Sequence, residues 1–299
     1  MFRRTLLLSA LAASAALPAA ATFAAAPPLR LEVFNPGAAS LFPVTSVLVT
    51  GKRDAVLIDA QFQRNDAEAL VQKIRASGKR LTTIYISHSD PDFYFGLDVV
   101  HAAFPQARIV ATPPTLAAIR ASRDGKLAHW GPILQANAPR ALVEPQPLKG
   151  DHLLLEGRKL QVVGLDGPTP ARTVLWIPSI RAVVGGVPVS ANIHLWVADT
   201  QAPAQRMYWQ QTLDAIDALQ PRTVVPGHYL PNADGSLPHT PASVQFTRDY
   251  LRAFDAEAAQ AADSRALVAA MQRRYPQLGE SASLDLSAKV IKGEMQWPK

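Results

Sequence analysis

Twice along this chain a meander of short β-branched runs leads into a helix and then into a further strand that ends in a polar loop, and this repeated order points to a layered α/β architecture. In the first half, residues 31–34, 46–50 and 55–59 are strand-like runs parted by Pro or Gly turns. A helix is predicted over 67–76, with Asn65 as its cap, Leu70, Val71 and Ile74 on one face, and Gly78 as its stop. A strand over 82–87, a helix over 95–104, a strand over 109–111 and a helix from 114 to about 129 continue the alternation. Residues 153–189 are again strand-rich, with turns at Gly157, Gly164 and Gly185-Gly186, and lead to a helix over about 204–219 and a strand over 223–225. From Pro241 the chain is Ala-rich and helical, which reads as a packing appendage without chemistry of its own.

Residues 1–26 carry Arg3 and Arg4, then an apolar stretch over 6–17, then small residues, mostly Ala. That is the pattern of a Sec signal peptide. Its apolar part is shorter than the ~20 residues that span a bilayer, so cleavage is expected rather than anchoring. Arg3-Arg4-Thr5-Leu6-Leu7 also resembles a twin-arginine signal. The expected product is periplasmic or secreted, without stable membrane insertion once the leader is gone. The expected domains are a leader over 1–26, an α/β domain over 27–240 and a helical extension over 241–299 packed on it.

The chain contains no Cys, which excludes thiolate catalysis, disulfides and Cys-ligated zinc. Any metal must therefore sit on His and carboxylates. Net charge is +6, two of it from the leader arginines, and no basic run is interleaved with aromatics. Nucleic acid is not an expected partner.

The predicted strand over 82–87 runs into His88-Ser89-Asp90-Pro91-Asp92-Phe93-Tyr94. His88, Asp90 and Asp92 stand at alternate positions, where extended backbone puts side chains on one face, at the end of a strand. One imidazole and two carboxylates make a divalent-metal cluster. The competing reading has Asp90 and Asp92 capping the next helix and His88 satisfied at the strand end.

Val56-Leu57-Ile58-Asp59, the segment around His88, and Val224-Val225-Pro226-Gly227-His228 follow in that order at strand-to-loop junctions. In this, from about 31 to 228, the chain resembles the metallo-β-lactamase-fold (MBL-fold) hydrolases, whose motif is H-x-H-x-D-H. The resemblance implies a four-layer αββα sandwich, here with a C-terminal helical appendage, and a metal site at the sheet edge. His88 matches the first motif His and Asp92 the Asp, while Asp90 and Phe93 replace the second and last His. Gly186 falls where the family has a metal-bridging Asp, and His228 matches the final His. The middle His has no counterpart, and Asp166 is the one ligand type on the corresponding turn. The implied metal set is His88, Asp90, Asp92, Asp166 and His228 around one divalent ion (zinc, manganese or iron) rather than a dizinc centre. Asp92 doubles as the catalytic base that orients water, and Asp59 is a structural support. Tyr94, His194 and Trp196 are candidate substrate contacts. The implied activity is an exported, metal-dependent hydrolase of an ester, lactone, amide or phosphoester in a small-molecule substrate. The alternative is a weak or inactive MBL-fold binding protein that has lost turnover with its imidazoles.

Overall fold

The computed structural model describes residues 28–297, so the predicted leader over 1–26 lies outside the described residues. Strands β1 (Arg30–Phe34), β2 (Ser46–Thr50) and β3 (Asp54–Ile58) form the expected antiparallel meander. Beyond it, β4 (Arg80–Ile86), β5 (Arg108–Ala111) and β6 (Gln146–Pro147) each add in parallel. Parallel neighbours need crossovers. These are α1 (Arg64–Ala76), α2 (Leu97–Ala103) and α3 (Pro113–Leu134).

The second half repeats the plan. Strands β7 (His152–Leu155), β8 (Arg158–Val163), β9 (Val174–Ile177) and β10 (Ala182–Val184) pair antiparallel. After β11 (Ser190–Ala191) and α4 (Pro203–Ala218), β12 (Thr223–Val224) returns parallel to β10. Last, β13 (His228–Tyr229) pairs with β11 in a short parallel ribbon.

Three cores show the layering. Val49, Val56 and Tyr85 of the first sheet meet Leu160, Leu175 and Ala182 of the second. Leu70 and Ile74 of α1, Val100 of α2 and Ile119 of α3 cover the outer face of the first sheet. Leu213 and Ile216 of α4 cover the second, joined by helices α5 (Ala242–Gln260), α6 (Ser264–Arg274) and α7 (Ser281–Ile291) through Phe254, Met271 and Leu284. This is the four-layer αββα sandwich, and the C-terminal helices belong to its second outer layer. Each of the Leu, Ile, Val, Phe and Met side chains among these contributes roughly 1.5–3 kcal/mol on burial.

Two helix boundaries differ from expectation. Gln63, not Asn65, precedes α1, because the Gln63 side chain is drawn back to accept the Leu41 N–H at 2.7 Å. Helix α3 continues past 129 and through Pro132 because Trp130 and Leu134 are buried at its end. No helix among the described residues is long and apolar enough to cross a membrane.

Candidate active site

Strands β3 and β4 end side by side, and just beyond them Asp59 is fully buried. It accepts the Ser87 N–H at 2.8 Å and the Ser87 hydroxyl at 2.7 Å. From the second sheet, the Thr173 hydroxyl donates to the Ser87 carbonyl at 3.1 Å. The residue before His88 is thus held from both sheets. Burial pushes the Asp59 carboxyl up to about 7, against the lowering by its bonds to Ser87 and the Gly186 N–H.

The loop that follows directs its polar groups inward. His88 is buried and its Nδ1 accepts the Asp90 N–H at 3.0 Å, with Asp90 Oδ2 3.1 Å from the same nitrogen. Asp90 Oδ1 takes the Lys126 ammonium of α3 at 2.5 Å, and Lys126 also donates to the Ser89 carbonyl at 3.4 Å. Asp92 sits in a single 3-10 turn, Pro91–Phe93, with Oδ2 2.6 Å from His228 Nε2. Neither carboxylate caps the helix that follows. The Phe93 ring packs at a steep angle against both imidazoles, with centroids 5.6 Å from His88 and 5.3 Å from His228.

Burial opposes the charge on Asp90, but the Lys126 ammonium and His88 outweigh it and hold the carboxyl well below the usual range. Burial likewise opposes the charge on Lys126. Asp90 and then Asp199 outweigh it, and the Lys126 pKa is raised.

His228 is fixed through its backbone, which pairs with Ser190 on one side and bridges to Val44 on the other. A Cβ on Gly227 would lie 2.0 Å from the Gly186 carbonyl oxygen, so only glycine lets the His228 strand approach so closely. Gly186 itself has φ +81°, and a Cβ there would meet the Thr173 carbonyl oxygen at 2.3 Å. The place of a bridging Asp therefore admits no side chain.

Asp90, Asp92, Lys126 and His228 line one pocket, and four of the chain's five tryptophans line it too: Trp130, Trp196, Trp209 and Trp297. His194 and Trp196 are in its wall. His194 Nδ1 is 3.0 Å from the Tyr250 hydroxyl, and burial lowers its pKa to about 4, leaving it neutral at pH 7. Asp199 Oδ2 accepts the Trp196 indole N–H at 2.7 Å and Oδ1 that of Trp297 at 2.9 Å. His88 is buried beside the pocket against Asp90. Tyr94 does not line it: the ring packs in the core against Phe95, and the buried hydroxyl has no partner. Asp166 lies on an exposed turn and does not line it either.

Sequence reasoning missed Lys126, Asp199, Glu280 and Trp297, all of which line the pocket. No local pattern marks them: Lys126 looks like a solvated helix charge, and the last two come from the presumed appendage. The abundance of tryptophan was the one available signal.

A divalent metal does not fit this arrangement. Among the described residues no group of three or more His, Asp or Glu is placed to hold one. Two ligands on one tetrahedral zinc stand roughly 3.3 Å apart, given bonds of about 2.0 Å. Asp92 and His228 are at 2.6 Å, a hydrogen-bonding distance. Asp90 is engaged by Lys126, and the Phe93 ring packs against both imidazoles. The expected five-residue cluster does not assemble, for Asp166 stays outside it and Lys126 already neutralises Asp90.

A relative in Bacillus subtilis (strain 168), the uncharacterized protein YobT, is 27% identical over 143 residues, 45% of this chain; the match spans 55% of YobT's own length. The structure is similar to that of the metallo-beta-lactamase family protein TTHA1429 from Thermus thermophilus, with a TM-score of 0.60, 19% identity, and 90% and 94% of the two chains covered. A beta-lactamase domain protein from Burkholderia ambifaria is as similar, with a TM-score of 0.60, 18% identity, and 93% and 88% covered. The model of the Metallo-beta-lactamase superfamily matches residues 39–228, well over half the chain, ending at the final histidine, and the chain belongs to that superfamily.

Proposed function

We propose that the chain is an exported hydrolase of small carboxylic esters or lactones with an apolar body, in which the Asp92–His228 pair takes the proton of the attacking water. The observation that carries this reading is the 2.6 Å contact between Asp92 Oδ2 and His228 Nε2 in the wall of the tryptophan-lined pocket. A carboxylate bonded to an imidazole fixes its tautomer and stabilises its charged form, so the two accept a proton as a unit. Water adds to the acyl carbon as its proton passes to the pair. When the acyl C–O bond breaks, the pair returns that proton to the leaving oxygen. Lys126, in the same pocket, offers positive charge to the oxygen that becomes negative in between. His194 and Trp196 contact the substrate body.

Tryptophan walls favour a carbon ester over a phosphoester, which needs several converging donors or cations. The superfamily generally binds divalent metals, but this chain's donors do not fit one, and no step above runs through a metal. Export rests on the composition of residues 1–26, and N-terminal sequencing of the protein from a periplasmic fraction tests it.

The hydrolase reading is tested by screening p-nitrophenyl esters of graded acyl length and a set of lactones with the wild type, Asp92→Asn and His228→Ala. Each variant should lose about 10²–10⁴-fold in rate while keeping its melting temperature within a few degrees. A wild type inert to every ester and lactone sinks this reading. The closed Asp90–Lys126 pair then favours a protein that binds such ligands without turnover, which calorimetry with the same compounds reveals.

A further inference from the structure

We propose that Lys126 stands in for the metal: its ammonium is the resident cation of this site, and the chain folds and works without a divalent ion. The inference deepens the hydrolase reading, on whose pocket it rests.

Position comes first. Asp90 occupies the motif's second ligand position, and the Lys126 ammonium meets its Oδ1 at 2.5 Å and the Ser89 carbonyl at 3.4 Å. Both contacts are oxygens of the ligand loop itself. They are made by a lysine on α3, an element that brings no ligand in the resemblance.

Burial comes second. The Lys126 side chain is 19% exposed and that of Asp90 13%. A lysine so enclosed persists only against compensating charge, because an unpaired buried ammonium is strongly disfavoured. Three carboxylates supply that compensation, for Asp90, Asp199 and Asp92 all act on it. Trp196 and Trp297 hold Asp199 through both carboxylate oxygens, so the second carboxylate is fixed in place. Trp130, one helical turn beyond Lys126 on the same face of α3, lines the same pocket, so the helix presents cation and wall together.

Charge balance comes third. Each motif carboxylate has its own partner, Asp90 the ammonium and Asp92 the His228 imidazole. A dipositive ion entering here must displace Lys126 from Asp90 and break the Asp92–His228 hydrogen bond.

The test uses the full chain, purified from a periplasmic fraction and desalted. Metal content is read by inductively coupled plasma mass spectrometry, and melting temperature is read with EDTA, zinc chloride or manganese chloride. The wild type should hold far less than one metal per chain, and its melting temperature should not move with chelator or with either salt. Lys126→Met keeps the apolar stem and removes the charge. Asp90 is then free, and zinc at a hundredfold excess over its Kd should raise the variant's melting temperature by about 5–10 °C. Lys126→Arg, which keeps a cation, should stay as insensitive to zinc as the wild type. Stoichiometric metal in the wild type, melting lowered by EDTA, or zinc stabilisation equal in wild type and Lys126→Met would each overturn the proposal. If Lys126→Met does not fold, the wild-type metal content and chelator response alone decide. An active protein full of metal overturns the role of Lys126 and spares the hydrolase reading. A metal-free protein inert to every ester does the reverse.

Discussion

Asp59 couples pH to stability through a single buried carboxyl. Its folded pKa of about 7 stands above the ~3.9 of an unfolded Asp, so the folded state binds its proton more tightly. The stabilisation is fully present below about pH 4 and is lost as pH rises to about 7, a change on the order of 4 kcal/mol at 1.36 kcal/mol per unit. Asp59→Asn should flatten that slope, read as the urea midpoint against pH; an unchanged slope contradicts the assignment. Asp90 has the opposite sign. Its pKa is depressed by Lys126, so its contribution is present above the unfolded value and lost as pH falls below it. At this scale Asp59 and His88 were readable as the polar residues just past buried β-branched runs, and Asp92 and His228 through the resemblance to the family motif. The Asp90–Lys126 pair was not, since 36 residues separate its members and each alone looks ordinary. Tyr94 was misread because a loop's direction, not its sequence, decides whether the ring after Phe93 meets the pocket or the core.

Among the elements, the turn at Gly227 bears most on the site. A methyl group there falls 2.0 Å from the Gly186 carbonyl oxygen, inside any tolerable contact, so Gly227→Ala must shift backbone that carries His228. We expect a loss of about 1–3 kcal/mol in unfolding free energy, together with a fall in turnover beyond what the loss of folded protein explains. Equal losses in both would show that His228 keeps its place. Strands were the most readable elements, because their β-branched runs sit between Gly and Pro turns. Helix ends were less so: α1 begins where the Gln63 side chain is captured by Leu41, and α3 extends to bury Trp130 and Leu134.

At the scale of the molecule, the repeated strand–helix order pointed to a layered α/β chain, and the resemblance to the MBL-fold hydrolases implied two sheets back to back between helices. What it did not disclose is that the far end of the chain closes the pocket. Trp297 packs on Trp196 with ring centroids 5.2 Å apart and donates to Asp199, although 98 residues separate it from that carboxylate. Trp297→Ala should raise KM for the best ester several-fold with little change in kcat, since it removes wall area far from the reacting bond. An unchanged KM places the substrate elsewhere.

In this reading the MBL-fold site is organised by Lys126 and by the Asp92–His228 hydrogen bond rather than by a metal. It is tested most directly by a crystal structure of the wild type grown in excess zinc, with anomalous diffraction measured at the zinc edge. The expected result is Lys126 Nζ on Asp90, Asp92 on His228, and no anomalous peak among them. A peak coordinated by His88, Asp92 and His228, with Lys126 swung away, contradicts it.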